Sequence, residues 1–252
     1  MKKLPYLMLL IICFSFLFCN KNDDPVSIID ESKVKRKLYF NTIEDSIPKK
    51  ILNYQYDYKG RLERINYYTR RNPDFIAYYD VFKYSEDNEL LTRLTYASTS
   101  SAESGYRLND STAYTYNNGN LEQEVTVYNL QTDYNDRLLT KYEYDNQYLI
   151  QKETLYNDKF SEAIIYEYSG DLRVKESLYK DSLKTEIKYY TIHTYNGELL
   201  THSDVFWVYE SSKIQEIDYT YNEKGDILIE ESKAIIQFPT FPPVYVIKYE
   251  YY

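Results

Sequence analysis

Asn53-Tyr54-Gln55-Tyr56-Asp57-Tyr58-Lys59-Gly60-Arg61-Leu62-Glu63-Arg64-Ile65-Asn66-Tyr67-Tyr68 reads as a single β-hairpin, and recognisable copies of it recur to the C-terminus. Tyr54 and Tyr56 are two apart, the spacing of same-face residues on a strand. Residues 57–60 supply turn chemistry, and from Leu62 the alternation resumes. Aligned on the second aromatic of each Tyr-x-Tyr pair, the copies fall at Tyr56, Tyr84, Tyr116, Tyr144, Tyr168, Tyr195, Tyr221 and Tyr251, with Phe82 and His193 replacing the first tyrosine in two of them. A polar turn and a Leu or Ile follow each of the first seven: Leu62, Leu90, Leu121, Leu149, Leu172, Leu199 and Ile227. Gly60, Gly119, Gly170, Gly197 and Gly225 occupy those turns, where positive φ is needed; Asn88 and Asn146 replace glycine in the second and fourth.

An internal repeat of this kind argues for one all-β domain across the chain rather than two ordinary domains. Two strands per copy, with flanking candidates at residues 34–41 and 244–252, give an antiparallel meander of about seven hairpin repeats, or about 14 to 16 strands. The expected shape is a curled sheet or barrel-like shell, since a twisted sheet of that size seldom stays open. The 33 tyrosines among 252 residues suit it, because a tyrosine buries its ring while its hydroxyl seeks a polar partner. Proline is expected only in connections, at Pro73, Pro239, Pro242 and Pro243. The Tyr-x-Tyr end has short turns. The other end carries variable loops at residues 69–74, 98–111, 129–136 and 238–243.

The pattern Tyr-x-Tyr-Asp-x-x-Gly-Arg-Leu at residues 54–62 resembles the YD repeat of RHS-type proteins. As a whole the chain resembles YD-repeat-bearing lipoproteins of unknown function from Bacteroidota, some described as porin-like in fold. That resemblance covers nearly all of the chain after its N-terminal segment. It implies stacked antiparallel hairpins and secretion, carries no catalytic residues, and by analogy with RHS shells suggests a container for another polypeptide.

A membrane-spanning barrel is not expected. The register of Tyr252 includes Glu250 and Lys248, and Gln151 and Glu153 lie opposite Lys152, so both faces carry polar groups where one would have to be apolar against lipid. Residues 205–209, 234–236 and 244–247 are apolar on both registers and suggest strands covered on both sides.

The N-terminus reads as a lipoprotein signal peptide over residues 1–18: Lys2 and Lys3 precede an apolar run at residues 4–18, too short for an ordinary membrane helix. Leu17-Phe18-Cys19 resembles a lipobox, with Phe18 where a small residue is usual, so Cys19 is the expected lipidation site. Residues 19–33 form a lipidated tether and residues 34–252 the repeat domain. Removing Lys2 and Lys3 from the 30 basic residues leaves 28 against 39 acidic ones, a net of −11, which argues against nucleic acid as a partner. The address is an outer-membrane lipoprotein with the cell surface favoured over the periplasmic face, because the segment Asn20 to Ser32, with Lys21-Asn22-Asp23-Asp24-Pro25, resembles the acidic signal that sends many Bacteroidota lipoproteins to the cell surface.

The function expected is non-enzymatic: an envelope binding or structural module without a cofactor, with a glycan or envelope protein as partner. Binding is expected near the loops, at Arg70, Arg71, Tyr106, Arg107, Phe238 and Phe241. The rival is a hydrolase or metal-dependent enzyme built on the two histidines. If Asn196-Gly197 is a two-residue turn, His193 pairs with residue 200, and His193, Glu198, His202 and Asp204 share a face as weak zinc candidates.

Overall fold

The computed structural model describes residues 34–70, 72–99, 105–128, 136–210, 212–235 and 245–252. Sixteen antiparallel strands run as an uninterrupted meander, and the first pairs with the last to close a barrel. They are β1 (Val34–Phe40), β2 (Lys50–Tyr56), β3 (Leu62–Thr69), β4 (Asn72–Tyr84), β5 (Leu90–Ser98), β6 (Tyr106–Asn117), β7 (Asn120–Tyr128), β8 (Asp136–Asp145), β9 (Tyr148–Tyr156), β10 (Lys159–Ser169), β11 (Leu172–Tyr179), β12 (Ile187–Asn196), β13 (Leu199–Trp207), β14 (Ser212–Tyr221), β15 (Ile227–Ala234) and β16 (Tyr245–Tyr251). One 3₁₀ turn, Val208–Glu210, follows β13. Closure pairs Phe40 with Val246 and Val34 with Tyr251, and so removes both edges of the sheet.

The expected strand count holds. So does the turn chemistry: Asn118 and Gly119 both have positive φ, as a two-residue hairpin turn requires, and Asn88 and Asn146 adopt it where glycine is missing. The first, second and seventh turns are longer and are closed by a side chain. Asp57 accepts from the Lys59 and Arg61 amides, Ser85 from Glu89, and Asn222 from Lys224 and Asp226.

Each hairpin carries a β-bulge just before its second tyrosine, for example between Gln55 and Tyr56, Thr115 and Tyr116, and Thr194 and Tyr195. The extra residue on the return strand leaves a carbonyl that faces no ladder partner. The next hairpin's tyrosine supplies one. Tyr84 donates to the Leu62 carbonyl, Tyr168 to Leu149, Tyr195 to Arg173, Tyr221 to Leu200 and Tyr251 to Ile227, at 2.6–3.0 Å. Tyr56 carries the same bond across the closure, to Val34 at 2.8 Å. In these six copies the repeated tyrosine therefore stitches one hairpin to its neighbour as well as filling space. The residue opposite this tyrosine is Arg173 in the fifth copy and Leu200 in the sixth, one position beyond the expected Leu172 and Leu199, because a two-residue turn with the bulge pairs the tyrosine with the fifth residue after it and the leucine there is the fourth.

The face bearing Tyr-x-Tyr is the buried one and lines the inside of the wall. Leu62, Leu90, Leu121, Leu149, Tyr54, Tyr114, Tyr142 and Tyr166 form one buried cluster, with further tyrosines packed against it. Burying a side chain of this size stabilises by about 1.5–3 kcal/mol. The same face holds carboxylates with protein partners, among them Asp80, Glu124, Glu230 and Glu176. Tyr67 and Thr95 donate to Asp80, Tyr142 to Glu124, Tyr245 and Tyr249 to Glu230, and Arg173 to Glu176. The opposite face carries cross-strand charges such as Lys141 beside Glu153 and Lys175 beside Glu167. Neither register is an apolar band, as the sequence indicated, and no described helix is long and apolar enough to cross a membrane.

Three expectations need correction. Pro73 lies inside β4, at its exposed second residue, where a missing N–H is tolerated. Thr69 pairs with Asn72, so the β3–β4 ladder runs into the stretch expected as a loop at residues 69–74, and the connection after β5 begins only beyond Ser98 and ends before Tyr106. The apolar segment at residues 205–209 is not covered on both sides: Val208 and Tyr209 are exposed, and only Val246 and Ile247 are buried on both registers. Residues 236–244, with Phe238 and Phe241, lie outside the described residues, as do residues 1–33 with Cys19, residues 129–135, and Arg71.

Candidate functional site

The chemically richest part of the wall is β11 to β15, where two polar groupings sit back to back. The expected zinc face does not form. The turn after β12 is Gly197-Glu198, so Asn196 pairs with Leu199, and the bulge then offsets His202 to pair with Thr194. An odd total displacement exchanges faces. His193 consequently points inward, His202 and Asp204 point outward, and Glu198 is exposed in the turn.

The inward grouping centres on His193. Its Nδ1 lies 2.9 Å from the Ser203 hydroxyl and its Nε2 lies 3.4 Å from a Glu176 carboxylate oxygen. Arg173 donates to the same carboxylate at 2.6 Å and stacks over the Tyr166 ring. Burial alone would push Glu176 up, but the adjacent His193 and Arg173 outweigh it and hold the carboxyl below its ordinary value. Serine, histidine and glutamate in contact resemble a nucleophile, base and orienting acid. Ser203, however, is only 1% exposed, so no substrate carbonyl reaches its oxygen as the protein stands.

The outward grouping centres on His202, sandwiched between two carboxylates: Nδ1 is 2.6 Å from Asp218 and Nε2 is 3.0 Å from Asp204. Lys213 bridges Asp204, at 3.1 Å, and Glu216, while Lys233 holds Asp218 at 3.1 Å and Glu231 at 3.5 Å. Burial would lower the His202 pKa, but the hydrogen bonds to Asp218 and Asp204 raise it above 6.5. Asp204 and Asp218 move the other way: burial would raise them, and bonding to His202 and the lysines lowers them.

Of the expected loop residues, Arg70, Tyr106 and Arg107 are described, the first in a turn and the other two in β6. Tyr106 opens β6 on the outer face, within an aromatic row: Arg64 lies 3.7 Å over the Tyr79 ring, which stacks on Tyr96 at 4.9 Å and meets Tyr106 edge-on. The Tyr106 hydroxyl is used internally, on the Ile76 carbonyl at 2.9 Å. Both faces of Tyr79 are occupied by protein, so this row supports the sheet and offers ring edges rather than an open stacking platform. Arg107 is exposed at the mouth of the wall and Arg70 is exposed in its turn.

Sequence reasoning missed the outward partners Glu216 and Asp218. They lie on β14, and the signal that could have found them is the second apolar-polar alternation of residues 214–219, read against β13 with the bulge included.

No family model matches the chain, and no curated protein matches it. Among solved structures, one described as a porin-like protein from Bacteroides uniformis matches 87% of this chain and 98% of its own at 14% identity and TM-score 0.55. The likeness is one of fold. A porin-like protein from Bacteroides vulgatus matches the same shares at 11% identity and TM-score 0.40, and the TcdB2–TccC3 complex matches 80% of this chain over 12% of its own length, at TM-score 0.35. The Bacteroides uniformis neighbour is of the porin-like kind that the sequence resemblance implied.

Proposed function

We propose that the chain is a non-catalytic envelope lipoprotein whose barrel binds a glycan or another envelope protein through its loop end. The observation that carries this reading is the contrast between the two ends. Turns at the Tyr-x-Tyr end are committed to backbone geometry and to the tyrosine stitches. The opposite end exposes Ile43, Ile47, Tyr156, Leu183, Val208, Tyr209 and Ile235, with Leu183 82% exposed at the tip of a connection braced by Asp181. A braced loop that presents an apolar side chain to water is suited to contact with another molecule.

The described chain also enters β1 at the Tyr-x-Tyr end, because Val34 pairs with Tyr251. With acylation at Cys19, that end faces the membrane and the loop end faces outward, on the cell surface in preference to the periplasmic side. Mass spectrometry of the mature N-terminus tests the acylation. A Cys19→Ser protein that is still cut at that bond and still sediments with membranes overturns it.

Binding is tested by capture of envelope proteins and glycans with wild type, a Leu183→Ser Tyr209→Ser variant, and a Tyr58→Ser variant at the other end. Loss in the first variant alone supports the reading. Equal binding by all three removes it. A reading as a shell around another polypeptide has less behind it, since the inward rings are buried against one another. Against the hydrolase reading stand the burial of Ser203 and the engagement of both His202 nitrogens by carboxylates.

A further inference from the structure

We propose that His202, Asp204 and Glu216 form an exchangeable zinc site on the outer face of β13 and β14, gated by the ammonium group of Lys213. One donor atom from each residue lies within 4.8 Å of the others. Tetrahedral zinc, with bonds of about 2.0–2.1 Å, needs ligand atoms roughly 3.3 Å apart. His202 Nε2 and Asp204 Oδ1, at 3.0 Å, open by a few tenths of an ångström to admit the ion, and Glu216 closes by a side-chain rotation.

An imidazole sets this grouping apart from an ordinary acidic patch. Its other nitrogen is already directed by Asp218, at 2.6 Å, which is the carboxylate-to-histidine arrangement that orients a metal-ligating imidazole. Asp218 is in turn fixed by Lys233. A cation is also already seated among the donors, since Lys213 touches both Asp204 and Glu216. Its side chain is one-third exposed and is free to swing into solvent. One nitrogen and two carboxylate oxygens, with a fourth position for water, suit zinc better than calcium or magnesium, which take oxygen ligands.

The exchange balances. Zinc enters, the Lys213 ammonium leaves to water, and a protonated His202 gives up its Nε2 proton to buffer while keeping its Nδ1–H bond to Asp218. Asp204 changes from hydrogen-bond acceptor to metal ligand.

The test is zinc titration by calorimetry, with equilibrium dialysis and elemental analysis, on the tag-free mature protein at about pH 7.5. One zinc per chain is expected in wild type and in His193→Gln, whose ring faces inward. His202→Gln weakens binding by at least about tenfold, as loss of a ligand does. Lys213→Ala tightens it by about tenfold, because the competing cation is gone. Circular dichroism and urea unfolding establish that each variant is folded. His202→Gln binding as wild type does, Lys213→Ala binding no tighter, or every variant failing to reach one zinc per chain at about 100 µM free metal would each overturn the proposal.

Discussion

His193 and His202 belong to one hairpin, yet one is packed inside the barrel wall against Ser203 and the other lies on its outside between two aspartates. The same contrast runs around the whole barrel. Inside, bulky rings and buried leucines surround carboxylates that accept from tyrosine and threonine hydroxyls or from Arg173. Outside, paired charges sit half in water. Which residue belongs to which side is decided by the bulge before each second tyrosine, not by alternation alone, since one extra residue exchanges the faces of everything beyond it.

The largest expected effect tests the inner face. Leu121 is fully buried opposite Tyr116, and Leu121→Ala leaves a cavity costing about 2–5 kcal/mol. Lys141, outward and exposed on the next strand, changes stability by no more than about 0.5 kcal/mol when replaced by alanine. Urea midpoints of the two variants measure the difference. Equal losses would mean that the inner and outer faces had been assigned wrongly.

A smaller effect isolates the stitch between hairpins. Tyr221→Phe keeps the ring but removes the 2.6 Å bond to the Leu200 carbonyl that the bulge released, at a cost of about 0.5–1.5 kcal/mol. Tyr190 stacks outward on Phe206, and Tyr190→Phe preserves that stack, so its effect stays within about 0.5 kcal/mol. A Tyr221→Phe protein as stable as wild type would reduce the stitch to a bystander.

The sequence reading found the strand count, the turn positions and the polar character of both registers because each depends on local periodicity or on a residue that tolerates positive φ. It missed the faces of His193 and His202 because a bulge is written only weakly in sequence: Thr201 looks like any other strand residue. It also took Tyr106 for a loop residue, since the polar run before it hides the start of β6. The identity of the inward carboxylates' partners was not legible either. Tyr67 meets Asp80, and Tyr142 meets Glu124, only through the register of neighbouring hairpins.

The histidines give the comparison a pH dependence. The His202 pKa is raised on folding, so its contribution to stability is complete below the unfolded value near 6.5 and is lost as pH rises through the folded value. Glu176 is shifted down, so its contribution is present above the unfolded value of 4.5 and is lost as pH falls through the folded one. The stability gap between wild type and His202→Gln is therefore wider at pH 5.5 than at pH 8.5, and for Glu176→Gln it narrows at the acid end. Urea unfolding at pH 5.5 and 8.5 measures the first and at about pH 3.5 against about pH 7 the second, and a His202 gap that widens towards alkaline pH would reverse the assignment.

The smallest expected effect separates the two kinds of ion pair. Lys175 and Glu167 lie directly opposite on the outer face with their charged groups 2.6 Å apart, and half of the glutamate side chain is exposed. Water and side-chain entropy leave such a pair worth about 0.2–1 kcal/mol. Arg173 and Glu176 have the same separation on the inner face, but Glu176 also meets His193, and the guanidinium is covered by the Tyr166 ring. Double-mutant cycles on each pair, in low salt and in 1 M salt, read the coupling directly. At 1 M the screening length falls to about 3 Å, so the outer coupling should shrink towards zero while the inner one, whose side chains are 16% and 29% exposed against 34% and 53%, is screened less and persists. Loss of both couplings in salt would mean that water and ions enter the barrel beside Glu176, and the inner wall would then be a wet surface rather than a packed one.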